Sequence, residues 1–278
     1  MPGANEDRSI IEASRPGEAW ARWLATPVGT YMRAWEERAC EALVADMFGF
    51  HALQCGTPMI DCLRANRMPN RVLVLLGPAA GHAAGPQVLV DHFEHLPFDT
   101  QSVDLVVLPH VLEFAEEPHQ VLREVDRVLR PEGRLLVTGF NPVSLWGVRQ
   151  SGCRLLRREW LPEPAQLITL ARLRDWLRLL GHSTDEVVHG CYRPACDTDR
   201  WLDRFGFLEQ AGDRWWPILG SVYILSAVKH IPGMRLQGPV LRKRFSRRVA
   251  APVASHRDTY SRETVAADSS DRRPRPGA

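Results

Sequence analysis

The residues of this chain that could do chemistry stand where short apolar runs stop. Phe50–Leu53 passes into Gln54-Cys55-Gly56-Thr57-Pro58, and Arg71–Leu76 passes into Gly77-Pro78. Val88–Val90 leads to Asp91-His92-Phe93, and Val103–Leu108 leads to Pro109-His110. Glycine at such a point lets the backbone approach a ligand closely. Amide, carboxylate and imidazole side chains can hold a ligand's polar atoms. The six cysteines, at 40, 55, 62, 153, 191 and 196, form no CxxC pair, and Cys191 and Cys196 have no second ligand pair near them. They read as reduced, partly buried thiols, and no metal site is expected.

Elements with two different periods must position these residues. From Gly17 to Phe48 the spacing is helical, with Trp20, Trp23 and Leu24, then Tyr31, Trp35, Leu43, Val44 and Met47 on apolar stripes. Pro27-Val28-Gly29 divides this stretch into two helices. The runs at Phe50–Leu53, Arg71–Leu76, Val88–Val90, Val103–Leu108 and Arg134–Thr138 are continuous rather than alternating, as in strands covered on both faces. Between the last two lies a helix. Glu116, Glu117 and Pro118 start it, and Val121, Leu122, Val125, Val128 and Leu129 line one face. Arg123, Glu124, Arg127 and Arg130 face water, and Pro131 with Gly133 ends it. Strand, helix and strand in this order form a parallel crossover unit, so the expected fold is α/β with a doubly wound sheet. Further helices are expected over Ser144–Leu156, Leu170–Leu180 and Asp199–Gln210, and strands over Val187–Tyr192 and Val222–Val228.

The chain has 278 residues, 45% of them hydrophobic and 24% charged, which is a globular composition. No apolar run reaches the roughly 18 residues of a membrane span. Met1–Arg15 is polar and acidic, without the look of a secretory signal, and the cytoplasm is the default location. The net charge of +2 conceals an asymmetry: residues 235–278 carry +7 and residues 1–234 carry −5. The expected organisation is a loose leader over 1–16, packed helices over 17–49, an α/β domain over 50–234 and a basic, disordered tail over 235–278. The tail's charge suits a solvated segment, or weak contact with RNA or anionic lipid.

Three segments carry a resemblance. They are Leu96-Pro-Phe-Asp-Thr-Gln-Ser-Val-Asp-Leu-Val-Val-Leu108, Val111-Leu-Glu-Phe114, and Val121 through Arg130-Pro-Glu-Gly-Arg-Leu135 with Gly139-Phe140. Together they resemble the type 11 group of class I S-adenosylmethionine-dependent methyltransferases. That resemblance implies a Rossmann-like, mostly parallel seven-stranded sheet whose last strand runs antiparallel. It also implies S-adenosylmethionine as cofactor, bound at the carboxyl ends of the strands.

The resemblance implies a cofactor site made of Gln54, Gly56, Asp91, Phe93 and His110. Gln54 stands where the family has an acid, or where it has a glycine if the register shifts, so the glycine-rich motif is degenerate. At the end of the second strand the family's ribose-binding acid is missing from Leu76-Gly77. Asp91, or His92 one residue on, falls where the family meets the adenine amine. Phe93 packs the adenine ring or the sheet edge. His110 contacts cofactor or acceptor, or simply holds its loop. Asn141-Pro142 follows the fifth strand rather than the fourth, so Asn141 is expected to organise a turn and not to bind an amine acceptor. No catalytic residue stands out, because methyl transfer to an unidentified small-molecule or macromolecular acceptor depends mainly on alignment in a dry pocket. The alternative is a non-catalytic binding module on the same scaffold that has lost its cofactor anchors.

Overall fold

The structure is a computed structural model, and it describes residues 16–77, 85–155, 160–162, 165–196 and 198–230. The leader and basic tail expected from the sequence lie outside the described residues, except that Pro16 already begins the first helix.

Two helices open the chain, α1 (Pro16–Leu24) and α2 (Pro27–Val44). Thr26 caps α2, its hydroxyl accepting from the Gly29 amide at 3.2 Å, with Pro27 in the first turn. The strands are β1 (His51–Cys55), β2 (Asn70–Leu76), β3 (Gln87–Val90), β4 (Val103–Pro109), β5 (Leu129–Phe140), β6 (His182–Gly190) and β7 (Val222–Lys229). The remaining helices are α3 (Val111–Phe114), α4 (Pro118–Val128), α5 (Leu145–Leu155), α6 (Leu170–Leu179), α7 (Asp199–Arg204) and α8 (Phe207–Trp215). A short 3₁₀ turn, Pro217–Leu219, precedes β7.

The seven strands form one sheet in the order β3-β2-β1-β4-β5-β7-β6. The first five in this order run parallel, and β7 lies antiparallel between β5 and β6. This is the doubly wound, mostly parallel seven-stranded sheet expected from the sequence. Alternate strand residues feed two cores. Ala52, Leu105, Val107, Leu136 and Ile224 pack with α1, α2 and α5. Leu53, Val106, Leu135, Val137 and Leu225 pack with α4 and α6. Burial on both faces explains why β1 and β4 read as continuous apolar runs, whereas β2 and β3, expected to be covered likewise, keep Arg71, Leu76 and Leu89 exposed.

Several details depart from the sequence reading. The helix expected to run through Leu129 and Arg130 stops at Val128, and those two residues begin β5, while the single helix expected over Asp199–Gln210 is two, α7 and α8. The buried stripe of α2 is Val28, Met32, Glu36, Cys40 and Val44, whereas Tyr31, Trp35 and Leu43 pack only at its flank. Glu124 does not face water: its Oε1 accepts the Leu96 amide at 2.8 Å, and Arg127 pairs with it at 2.7 Å. The strand expected over Val187–Tyr192 runs instead from His182 to Gly190, because Gly181 at φ +86° ends α6 and turns the chain directly into edge strand β6. The connections β1–β2 and β3–β4 carry turns and no helix, and the described part of β2–β3 carries none either.

Candidate functional site

The carboxyl ends of β1 and β4 are adjacent strands' ends, and both turn through left-handed backbone. Gly56 has φ +110° and His110 has φ +54°. The Gly56 amide donates to Val74 O at 2.9 Å. A Cβ on Gly56 would lie 2.9 Å from Val111 Cγ2 and 3.4 Å from Pro109 O. The glycine is therefore required both by its φ and by the close approach of the β4 turn.

Gln54 is buried beside it, and its side chain is fully employed within the chain. Nε2 donates to Ile60 O at 2.6 Å and Thr57 O at 3.2 Å, while Oε1 accepts the Cys62 amide at 3.0 Å. These bonds fold the 57–62 loop back so that Ile60 and Cys62 join the core with Ala52 of β1. Phe93 is likewise used internally, buried in the core on the α4 side. Asp91 is exposed at the end of β3, two strands from β1. The structure thus brings Gln54, Gly56 and His110 together and leaves Asp91 at the far wing of the sheet.

His110 is the centre of the most densely built part of this edge. It is enclosed, with Nδ1 2.6 Å from Glu113 Oε2 and Nε2 3.2 Å from Glu36 Oε2. The other oxygen of Glu113 accepts the Phe140 amide at 2.6 Å, so this carboxylate joins the ends of β4 and β5. Phe140 lies 4.4 Å from the imidazole, centroid to centroid, and Trp20 of α1 lies 5.3 Å from it. Trp20 and Trp23 stack at 5.1 Å over this group. Burial alone would depress the imidazole pKa, but the Glu36 and Glu113 carboxylates outweigh it and push it up to about 10. The same burial raises the Glu113 carboxyl, against the opposing pull of His110 and the Phe140 amide. The two carboxylates thus favour the protonated form of the His110 imidazole. Among the described residues, Glu36 Oε1 is buried with no hydrogen-bond partner.

The acids of this triad did not stand out as site residues in the sequence. Glu36 is 74 residues from His110, and Glu113 lay inside a motif read for its sheet packing. One signal existed: Val28, Met32, Glu36, Cys40 and Val44 recur at a strict spacing of four, which places an acid in the middle of a buried helical stripe. Asn141 fulfils its expected role, with Nδ2 donating to Ile218 O and Gly220 O and Oδ1 accepting the Val143 amide.

Against S-adenosylmethionine these strand ends offer a partial match. Asp91 presents an exposed carboxylate at the end of β3. Nothing at Leu76 or Gly77 can accept from ribose hydroxyls through a carboxylate, and both Gln54 amide hydrogens are already taken.

A mostly parallel sheet with this strand order and a reversed β7 defines a Rossmann-like methyltransferase fold. Residues 58–137 match the model of a family described as methyltransferase domain, Methyltransf_11. The Escherichia coli K12 protein YafS is 37% identical over 169 residues. That match takes in 60% of this chain and 65% of YafS, so the chain spans just under two-thirds of that relative. Among solved structures, a SAM-dependent methyltransferase from Thermotoga maritima superposes with a TM-score of 0.56 at 15% identity, over 77% of this chain and 100% of that one. A chain of the complex between the Haloferax volcanii Trm112 methyltransferase activator and a methyltransferase gives 0.54 at 18% identity, over 78% and 99%.

Proposed function

We propose that this protein is an S-adenosylmethionine-dependent methyltransferase whose cofactor and acceptor meet at the carboxyl ends of the parallel strands. The observation that supports this reading is the sheet itself: its order, with β7 reversed between β5 and β6, together with the methyltransferase-domain match across 58–137. The cofactor would supply an activated methyl group on a sulfonium sulfur. The chain's own groups would do the rest. Asp91 would hold the adenine amine, and Gly56 would keep side-chain bulk out of the β1 turn. Trp20, Trp23 and Phe140 would exclude water over the β4 and β5 ends. Such a site works by alignment and dryness, and needs no separate nucleophile.

A second reading, a non-catalytic binding module, draws on a specific observation. The Gln54 side chain is spent on its own loop, and the end of β2 has no acid. Isothermal titration of the full chain with S-adenosylmethionine and S-adenosylhomocysteine separates the two. Saturable heat, weaker than is usual for a site with a ribose carboxylate, is expected. No heat and no thermal shift at millimolar cofactor would turn the assignment to the binding module.

A further inference from the structure

We propose that Ser183, His230 and Glu132 form a hydrolytic triad that cleaves small carboxylic esters, at the end of the sheet away from His110. Ser183 Oγ lies 2.6 Å from His230 Nε2, and His230 Nδ1 lies 3.3 Å from Glu132 Oε1. Nucleophile, imidazole and acid are thus joined in that order through the two ring nitrogens, at the separations general-base activation requires. One tautomer satisfies the whole chain. With the Nδ1 proton donated to Glu132, Nε2 is left to accept the serine hydroxyl. The fold gathers the three from distant positions: Ser183 is the second residue of edge strand β6, His230 follows the last residue of β7, and Glu132 belongs to β5. Glu132 has φ +63°, a left-handed conformation uncommon for a residue with a side chain and of the kind concentrated at functional sites. All three side chains are exposed, so an ester and water can both reach them.

The sheet supplies a cation and a groove on the same face. Ser183 and Arg134 pair with Val228 from either side, so the three stand in one row. Arg134 reaches across β7 to Asp185 of β6, Nη1 to Oδ2 at 2.7 Å, which carries a guanidinium to the serine's own strand. A cavity of about 320 Å³ opens between this edge and the C-terminal part of α2, where Arg134 and Val188 face Ala42, Leu43 and Met47. A second, also of about 320 Å³, shares Met47 and Arg134 and takes in Glu132. The aliphatic wall suits a short acyl chain, and the guanidinium suits the oxyanion of a tetrahedral intermediate. Ser183 Oγ adds to the ester carbonyl carbon as its proton passes to His230 Nε2. The bond from carbonyl carbon to alcohol oxygen then breaks, and the alcohol leaves with that proton. Water deprotonated by the same nitrogen adds to the acyl-serine, releasing the acid and restoring the hydroxyl.

The inference does not rest on methyl transfer, and its test uses no cofactor. The full-length chain is incubated with p-nitrophenyl butyrate, and separately with an alkyl fluorophosphonate, which bonds covalently to an activated serine. Peptide mass spectrometry locates the label. Saturable release of p-nitrophenol and a label on Ser183 are expected. Ser183→Ala and His230→Asn alter exposed side chains and should leave the melting temperature unchanged. Each should lower the hydrolysis rate about tenfold or more and abolish the label. Glu132→Gln should lower the rate less, because its amide oxygen can still accept from Nδ1. A fluorophosphonate that spares Ser183 in the unaltered protein overturns the proposal. Hydrolysis that survives Ser183→Ala but not His230→Asn also overturns it, since the imidazole alone would then attack the ester. So does a rate that all three substitutions leave intact, which would place the reaction elsewhere on the chain.

Discussion

His110 Nδ1 lies 2.6 Å from Glu113 Oε2, and the remaining oxygen of that carboxylate takes the Phe140 amide at 2.6 Å. One acid thereby ties the turn after β4 to the last residue of β5.

Stability should fall with alkalinity because of this pair. The folded pKa of His110 is raised from 6.5 to about 10, so its contribution is complete below 6.5 and is lost as pH rises through about 10. Melting temperatures taken across that window should decline. His110→Asn keeps a residue tolerant of φ +54° and should flatten the decline. A flat profile in the unaltered protein would remove the imidazolium from the account.

Glu36 should matter through His110 rather than through its own packing. Glu36→Gln keeps the shape but removes one of the two charges, so the His110 titration should move to lower pH by histidine NMR. Glu113→Ala should be harsher, costing about 3–5 kcal/mol, because it strands a buried cation and the Phe140 amide together. Equal effects of the two substitutions on unfolding free energy would contradict this ranking.

Restoring an acid at position 54 should harm the protein. In Gln54→Glu two carbonyls, Thr57 O and Ile60 O, lose their donors and meet a carboxylate instead. A loss of about 2–4 kcal/mol in denaturant unfolding is expected, with no gain in cofactor heat. Tighter cofactor binding by this variant would mean that the loop rearranges around the ligand.

Position 76 is the better place for an acid. Leu76 is 56% exposed at the end of β2, so Leu76→Asp removes little packing. If S-adenosylmethionine binds as proposed, the new carboxylate should tighten it by roughly tenfold or more through charge-assisted bonds to ribose. Asp91→Ala should weaken it by about 1–3 kcal/mol. Titration calorimetry of both variants reads the two effects separately, and unchanged affinity in both would move the ligand away from this wing.

Gly56 tests backbone rather than ligand. Gly56→Ala imposes a side chain at φ +110° against Val111 Cγ2, at a cost of about 1–3 kcal/mol. Adding Val111→Ala should recover only the contact, not the strain. Full recovery of thermal stability in the double variant would show that φ is not the constraint.

Much of the sheet is legible in the sequence because β1, β4 and β7 are buried on both faces and print as apolar runs. Strand β6 escapes that rule. It is an edge strand, and His182-Ser183-Thr184-Asp185-Glu186 has the polarity of a loop. Strand β5 begins earlier than its apolar run, at Leu129, and passes through Pro131 and through Glu132 at φ +63°, residues that read as a stop. The site was legible only by position. His110 could be placed at a strand end, but its two acids come from elements whose meeting depends on how α2 lies on the sheet. The bonds of the Gln54 amide to its own 57–62 loop are not legible in the sequence, since that loop has no periodic signal.

The uneven cover of the sheet has a consequence for how the molecule opens. Strands β4, β5 and β7 lie between helices on both faces, whereas β2 and β3 form a wing with turns where helices would sit. Amide hydrogen exchange should therefore be graded across the sheet, fastest in β3, slower in β2 and slowest in β4 and β5. Peeling of the wing would leave the His110 cluster intact. A nucleoside seated against Asp91 would then act as a brace, slowing exchange in the two strands the chain itself leaves least supported.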